Sequence, residues 1–211
     1  EEVEPMNNEP SKVKDSIQAF IDDLKAYDSI RLDEIPEYRL FISQVEEFFD
    51  KKLGKSVDDD EEKKIISKTM IQNYIKDGLI MPPEGKSYNR GHVILLAIIY
   101  NLKSILTIKD IKKLLTPILE KLDMEENDDN IECIYNTFFS LKESFLDNFS
   151  NLLEQDIDLI NQKLEGWDHD NYDKIHNILL VLTLVTQANI RKRLAEHIIE
   201  LYFTEEEDPN E

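Results

Sequence analysis

Residues 67–83 read SKTMIQNYIKDGLIMPP, and this stretch decides the fold. Ser67 is a good helix N-cap, with Ile66 and Ile71 placed around it as a hydrophobic staple. Gly78 stands where a helix ends on a left-handed residue. Stepping round the helix at about 100° per residue puts Met70, Ile71, Tyr74 and Ile75 within one arc of about 140°. Lys68, Thr69, Gln72, Asn73, Lys76 and Asp77 fill the other side. The spacing therefore predicts a short helix over 67–77 with one oily face. Its other face carries amides and ammonium groups.

Downstream, Leu79 to Tyr88 holds Pro82-Pro83 and a Glu84-Gly85 turn before Lys86, and is too short for a helix. It reads as a small hairpin or an extended loop. Asn89 then caps a helix in which nearly everything from Val93 to Leu102 is apolar, so it must be buried on most sides. Thr107 with Asp110 forms a capping box, and Leu106 and Ile111 can staple it. The helix that follows should kink or end near 113–116, ahead of Pro117. Upstream, the five acids 58–62 read as a solvated loop. Phe41, Val45, Phe48, Phe49 and Leu53 mark a helix expected over 36–53, and Val13, Ile17, Phe20, Ile21 and Leu24 another over 11–27.

The charge is uneven. The chain carries −20 overall, which by itself argues against nucleic acid. Between Lys63 and Thr116, however, ten Lys or Arg meet three acids, a local +7 that leaves −27 elsewhere. A second acidic stretch, 123–129, is read as the domain boundary. Beyond it Ile131, Tyr135, Phe138, Phe145, Phe149 and Leu152 repeat at near-heptad spacing, and a last helix over 172–203 is very apolar from Ile178 to Val185. Two helices alone cannot cover both stripes. Either the helix over 11–27 and the region that follows it supply the remaining cover within one chain, or a second protomer does, and self-association through 131–203 is the expected outcome. Residues 1–10 and the acidic tail 204–211 read as disordered.

The quoted stretch resembles the MerR-type winged-helix regulators, which run from a recognition helix through Gly-Leu-hydrophobic-x-Pro into a short wing. Lys86-Ser87-Tyr88 resembles the end of that wing, and Thr107-Ile108 through Leu115 the helix behind it. More closely, the region Ile35 to Leu119 is similar to the YkrK-like bacterial family of unknown function. The apolar spacing reads as an all-α chain with a C-terminal helical bundle over 129–203, and the resemblance implies a winged helix-turn-helix domain with its preceding helix over 11–122. It also implies duplex DNA as partner.

On that reading Gln72 and Asn73 suit bidentate contact with adenine, and Lys68 and Lys76 suit guanine or phosphate, with Thr69 beside them. Lys86 and Arg90 would grip phosphates at the wing. The bland alternative is a solvated helix face on a protein-interaction module that keeps this scaffold without DNA. No catalytic motif, glycine-rich phosphate loop or metal spacing appears, and His92, His169, His176 and His197 lack ligand partners. No enzyme, cofactor or metal is expected, and nothing names a small-molecule effector. The single Cys133 lies one residue off the apolar stripe and reads as a packed small hydrophobe. With no disulfide, no secretory signal and no membrane-length apolar run, the expected compartment is the cytoplasm.

Overall fold

The computed structural model describes residues 9–27, 30–54, 64–122, 128–167 and 171–203. The expectations for the N-terminal residues 1–8, the acidic loop 58–62 and the tail 204–211 fall outside these. Seven α-helices and one two-stranded sheet make up the described residues. Helix α1 spans Glu9–Tyr27, and a 3-10 turn follows at Leu32–Glu34. Strand β1 (Leu40–Phe41) leads directly into α2 (Ile42–Leu53), and α3 spans Lys68–Lys76. Strand β2 (Ser87–Tyr88) leads into α4 (Arg90–Leu102), followed by α5 (Ile108–Leu122), α6 (Asp128–Lys163) and α7 (Tyr172–Tyr202).

Two expectations about these elements are corrected. The helix expected from Pro36 begins only at Ile42, because Leu40 and Phe41 pair antiparallel with Tyr88 and Ser87. Phe41 is the N-cap, and its N–H donates to the Gln44 side chain at 2.8 Å. The loop after α3 thus closes onto β1, and within itself it carries a single bridge, Glu84 to Ser87. Helix α5 runs through Pro117 to Leu122 and so does not end ahead of it. An interior proline costs about 3 kcal/mol. Its helix keeps Ile111 and Leu115 buried, with Ile118 and Leu119 packed against the same core. That burial offsets the cost, at roughly 2 kcal/mol per buried aliphatic side chain.

The larger core is built around α4, in which every residue from Gly91 to Ile99 is buried. Val45, Phe49 and Leu53 of α2 and Ile71 and Tyr74 of α3 join it, as do Ile111 and Leu115. So do Ile131 and Tyr135 of α6 and Ile199 of α7. The Tyr135 hydroxyl donates to the Ile30 carbonyl at 2.6 Å, tying the start of α6 to the segment ahead of β1. This core therefore crosses the acidic stretch 123–129 that the sequence suggests as a boundary. The front of the α6 aromatic stripe packs inward on α4, leaving Phe145, whose ring lies tilted against that of Phe149 at 5.7 Å, 41% exposed. Cys133 is exposed instead of packed. A second, smaller core joins α6 and α7 through Leu153, Ile160, Leu164 and Leu180, with Ile17 of α1 against it.

Candidate nucleic-acid interface

Helix α3 turns Ile71 and Tyr74 inward, at 0% and 7% exposure, and leaves Lys68, Thr69, Gln72, Asn73 and Lys76 exposed. Those five positions share one side of the helix. Both ends are fixed, so the face has a set orientation. At the N-terminus the Ser67 hydroxyl accepts the Met70 N–H at 3.2 Å. The Glu46 carboxylate of α2 accepts the Lys68 N–H at 2.7 Å. Glu46 also lies 3.4 Å from the Lys64 ammonium and 3.6 Å from that of Lys68. Burial disfavours its charge, but the Lys68 N–H and the two ammonium groups outweigh that and hold the carboxyl below its usual range.

At the C-terminus the Gly78 N–H donates to the Ile75 carbonyl at 3.1 Å and the Leu79 N–H to the Tyr74 carbonyl at 2.8 Å. This pair of bonds needs a left-handed residue between them, and Gly78 supplies it with φ of 72°. The Lys112 ammonium of α5 reaches this end, 3.6 Å from where a Cβ on Gly78 would sit. It adds a cation at the C-terminal end of α3 that the sequence alone could not place there.

The segment after α3 buries Leu79 and Ile80 and then turns at 84–87. Gly85 takes φ of 63° and the Ser87 N–H donates to the Glu84 carbonyl at 3.2 Å, which puts Lys86 at the exposed tip. Arg39, next to β1, meets Glu84 at 2.6 Å, and the contact holds the Glu84 carboxyl below its usual range. Under the turn lies His92, 3% exposed and edge-on to Tyr88 at 5.5 Å. Its Nδ1 accepts the Asn89 N–H at 3.3 Å, closing the cap of α4. Its Nε2 is buried without a hydrogen-bond partner, and the Met81 and Pro82 backbone lies close to the ring. Burial pushes the His92 pKa below its usual value, so the ring is neutral at pH 7.

Arg90 stands apart from the other expected contacts. Its side chain is only 18% exposed. Nε lies 2.8 Å from the Glu132 carboxylate of α6, off the line of the N–H, and Nη1 lies 3.5 Å from Glu37. Nη2 donates to the Leu32 carbonyl at 3.0 Å. Arg90 thus joins α4, α6 and the segment ahead of β1, and it does not line the exposed face. The remaining six, Lys68, Thr69, Gln72, Asn73, Lys76 and Lys86, are exposed. Lys68 is partly neutralised by Glu46.

A family model described as a domain of unknown function, DUF1836, matches residues 30–138. The chain belongs to the DUF1836 family. The DUF1836 segment begins at Ile30 and ends at Phe138, close to the limits of the larger core apart from Ile199 and Phe203 of α7. The first third of α6 is therefore part of the DUF1836 unit, and α3, the 84–87 turn and Glu46 all lie within it. Comparison with curated proteins and with solved structures returned no match. Among the described residues no group of three His, Cys, Asp or Glu side chains could hold a metal, and no helix is long and apolar enough to cross a membrane.

Proposed function

We propose that the DUF1836 unit of this chain binds duplex DNA as a transcription regulator. In this reading α3 lies in the major groove and the 84–87 turn acts as a short wing. The observation that carries the reading is the two-faced α3. Ile71 and Tyr74 face the core and Glu46, Ser67 and Gly78 hold the two ends, while Gln72 and Asn73 are exposed between Lys68 and Lys76. Exposed amides suit adenine edges, and flanking ammonium groups suit guanine or phosphate. The order α3, turn, β2, α4 also follows the run of residues on which the MerR-type resemblance rests, and β1 pairs with β2 beside the turn.

A second reading is a protein-interaction module on the same scaffold. It is favoured by Glu46 lying against Lys68 and by the −27 outside the basic segment, which repels phosphate. Fluorescence-anisotropy titration of the full chain against a random duplex pool, from low to physiological salt, separates the two. DNA binding gives an affinity that falls steeply with salt, and enrichment of one sequence over successive rounds of selection. No binding at low salt would leave the interaction reading.

A further inference from the structure

Helix α7 carries an aliphatic face that nothing in the described chain covers. Ile178, Val181, Leu182 and Val185 are 58%, 59%, 57% and 52% exposed. Leu180 is buried in the smaller core and Leu184 packs against it, so this half of α7 is apolar on both sides. The surrounding sequence is unusual for this protein. The sixteen residues from Ile175 to Ile190 contain no Asp, Glu, Lys or Arg, in a chain where 33% of residues are charged. Charge depletion at the centre with charges at the rim, here Asp173 and Lys174 at one end and Arg191 to Arg193 at the other, is the composition of an interface core.

We propose that this face docks on the same face of a second copy, the two α7 helices running antiparallel about a two-fold axis between Val181 and Leu182. The spacing fits a second copy as the occupant. Positions 178, 181, 182 and 185 read the same in both directions. An antiparallel copy therefore sets Ile178 opposite the other copy's Val185, and Val181 opposite its Leu182. That self-matching is what an isologous interface requires. The steps of three, one and three are also those of a helix–helix seam.

Area sets the strength. With Thr186, Ala188 and Asn189 exposed alongside, the face offers on the order of 500 Å² per copy, at roughly 70 Å² a residue. The total of about 1,000 Å² is at the low end for a specific interface. Each copy also carries −20, so the pair repels at long range. The dimer is accordingly reversible, with dissociation in the micromolar range, and added salt tightens it. The inference does not rest on the DNA reading, and DNA binding weakens with salt where this association strengthens.

Sedimentation equilibrium of the full chain from about 1 to 200 µM tests it. The mass should rise from 24.8 kDa towards twice that value with concentration, and more readily in about 0.5 M salt. Leu182→Glu places a carboxylate beside its own copy at the axis and should weaken association at least about a hundredfold. Helical circular dichroism should be unchanged, because the side chain is exposed. A register arm uses Cys133→Ser as background. Leu182→Cys should cross-link to itself on copper-catalysed air oxidation. Leu201→Cys, about 29 Å from the axis along the helix, should not. A constant monomer mass at high concentration and salt overturns the proposal. So does a dimer indifferent to Leu182→Glu, or one that cross-links at 201 and not at 182.

Discussion

Replacing Glu46 by Gln keeps the shape of the side chain and removes its charge. Glu46 is 5% exposed, accepts the Lys68 N–H at 2.7 Å and sits within 4 Å of two ammonium groups. A hydrogen bond to a charged acceptor contributes about 1.5–3 kcal/mol, and a neutral amide retains roughly half of that. A negative charge at a helix N-terminus adds about 0.3–1 kcal/mol. The two ammonium groups are half-exposed and screened, so their pairs contribute about 1 kcal/mol together at most. Glu46→Gln should therefore cost about 1–3.5 kcal/mol, and Glu46→Ala, which leaves the Lys68 N–H without its acceptor, about 2–5 kcal/mol. Urea unfolding followed by circular dichroism measures both. The folded carboxyl titrates below its unfolded value of 4.5, so its stabilisation is complete above pH 4.5 and is lost as pH falls through the lower, folded value. The gap between wild type and Glu46→Gln should close over the same range. The variant also releases Lys64 and Lys68, so binding to random duplex at low salt should tighten by roughly fivefold while stability falls. A Glu46→Gln protein within about 0.3 kcal/mol of wild type at pH 7 would refute the claim that this carboxylate anchors α3.

Three further outcomes follow from the same geometry. Gln72→Ala and Asn73→Ala should each cost about 1–3 kcal/mol on a selected duplex and little on random DNA, as read by anisotropy titration. Lys76→Ala and Lys86→Ala should instead weaken all duplexes alike and lower the salt slope by about one each, whereas Arg90→Ala should register mainly as lost stability. The buried His92 titrates below its unfolded value of 6.5, so its contribution is full above pH 6.5 and is lost as pH falls towards the folded value. The urea midpoint should decline over that interval in wild type and hold level in His92→Gln.

Much of the local structure is legible from the sequence because single residues dictate it. Ser67 and Gly78 fix the ends of α3, Asn89 starts α4, and the 3.6-residue period separates the two faces of α3 without tertiary knowledge. The losses come where distant partners decide. Leu40 and Phe41 are extended because Tyr88 and Ser87, almost fifty residues on, pair with them. Pro117 stays inside α5 because the core on either side of it is buried. Glu46 looks like one of many acids until α2 is laid against α3 and its carboxylate meets the Lys68 N–H. Arg90, read as a phosphate contact from its place after the wing, is engaged by Glu132 from a segment the sequence assigns to another domain. The acidic stretch before α6 marks a change in composition, yet Ile131 and Tyr135 beyond it complete the core before it.

The most direct test is amide hydrogen exchange on the full chain with and without a selected duplex at low salt. The expected result is added protection over 68–76 and 84–88, with α7 unchanged by the DNA at fixed protein concentration. Unaltered exchange across α3 in a sample where the duplex is demonstrably bound would contradict the claim that this helix is the reading element.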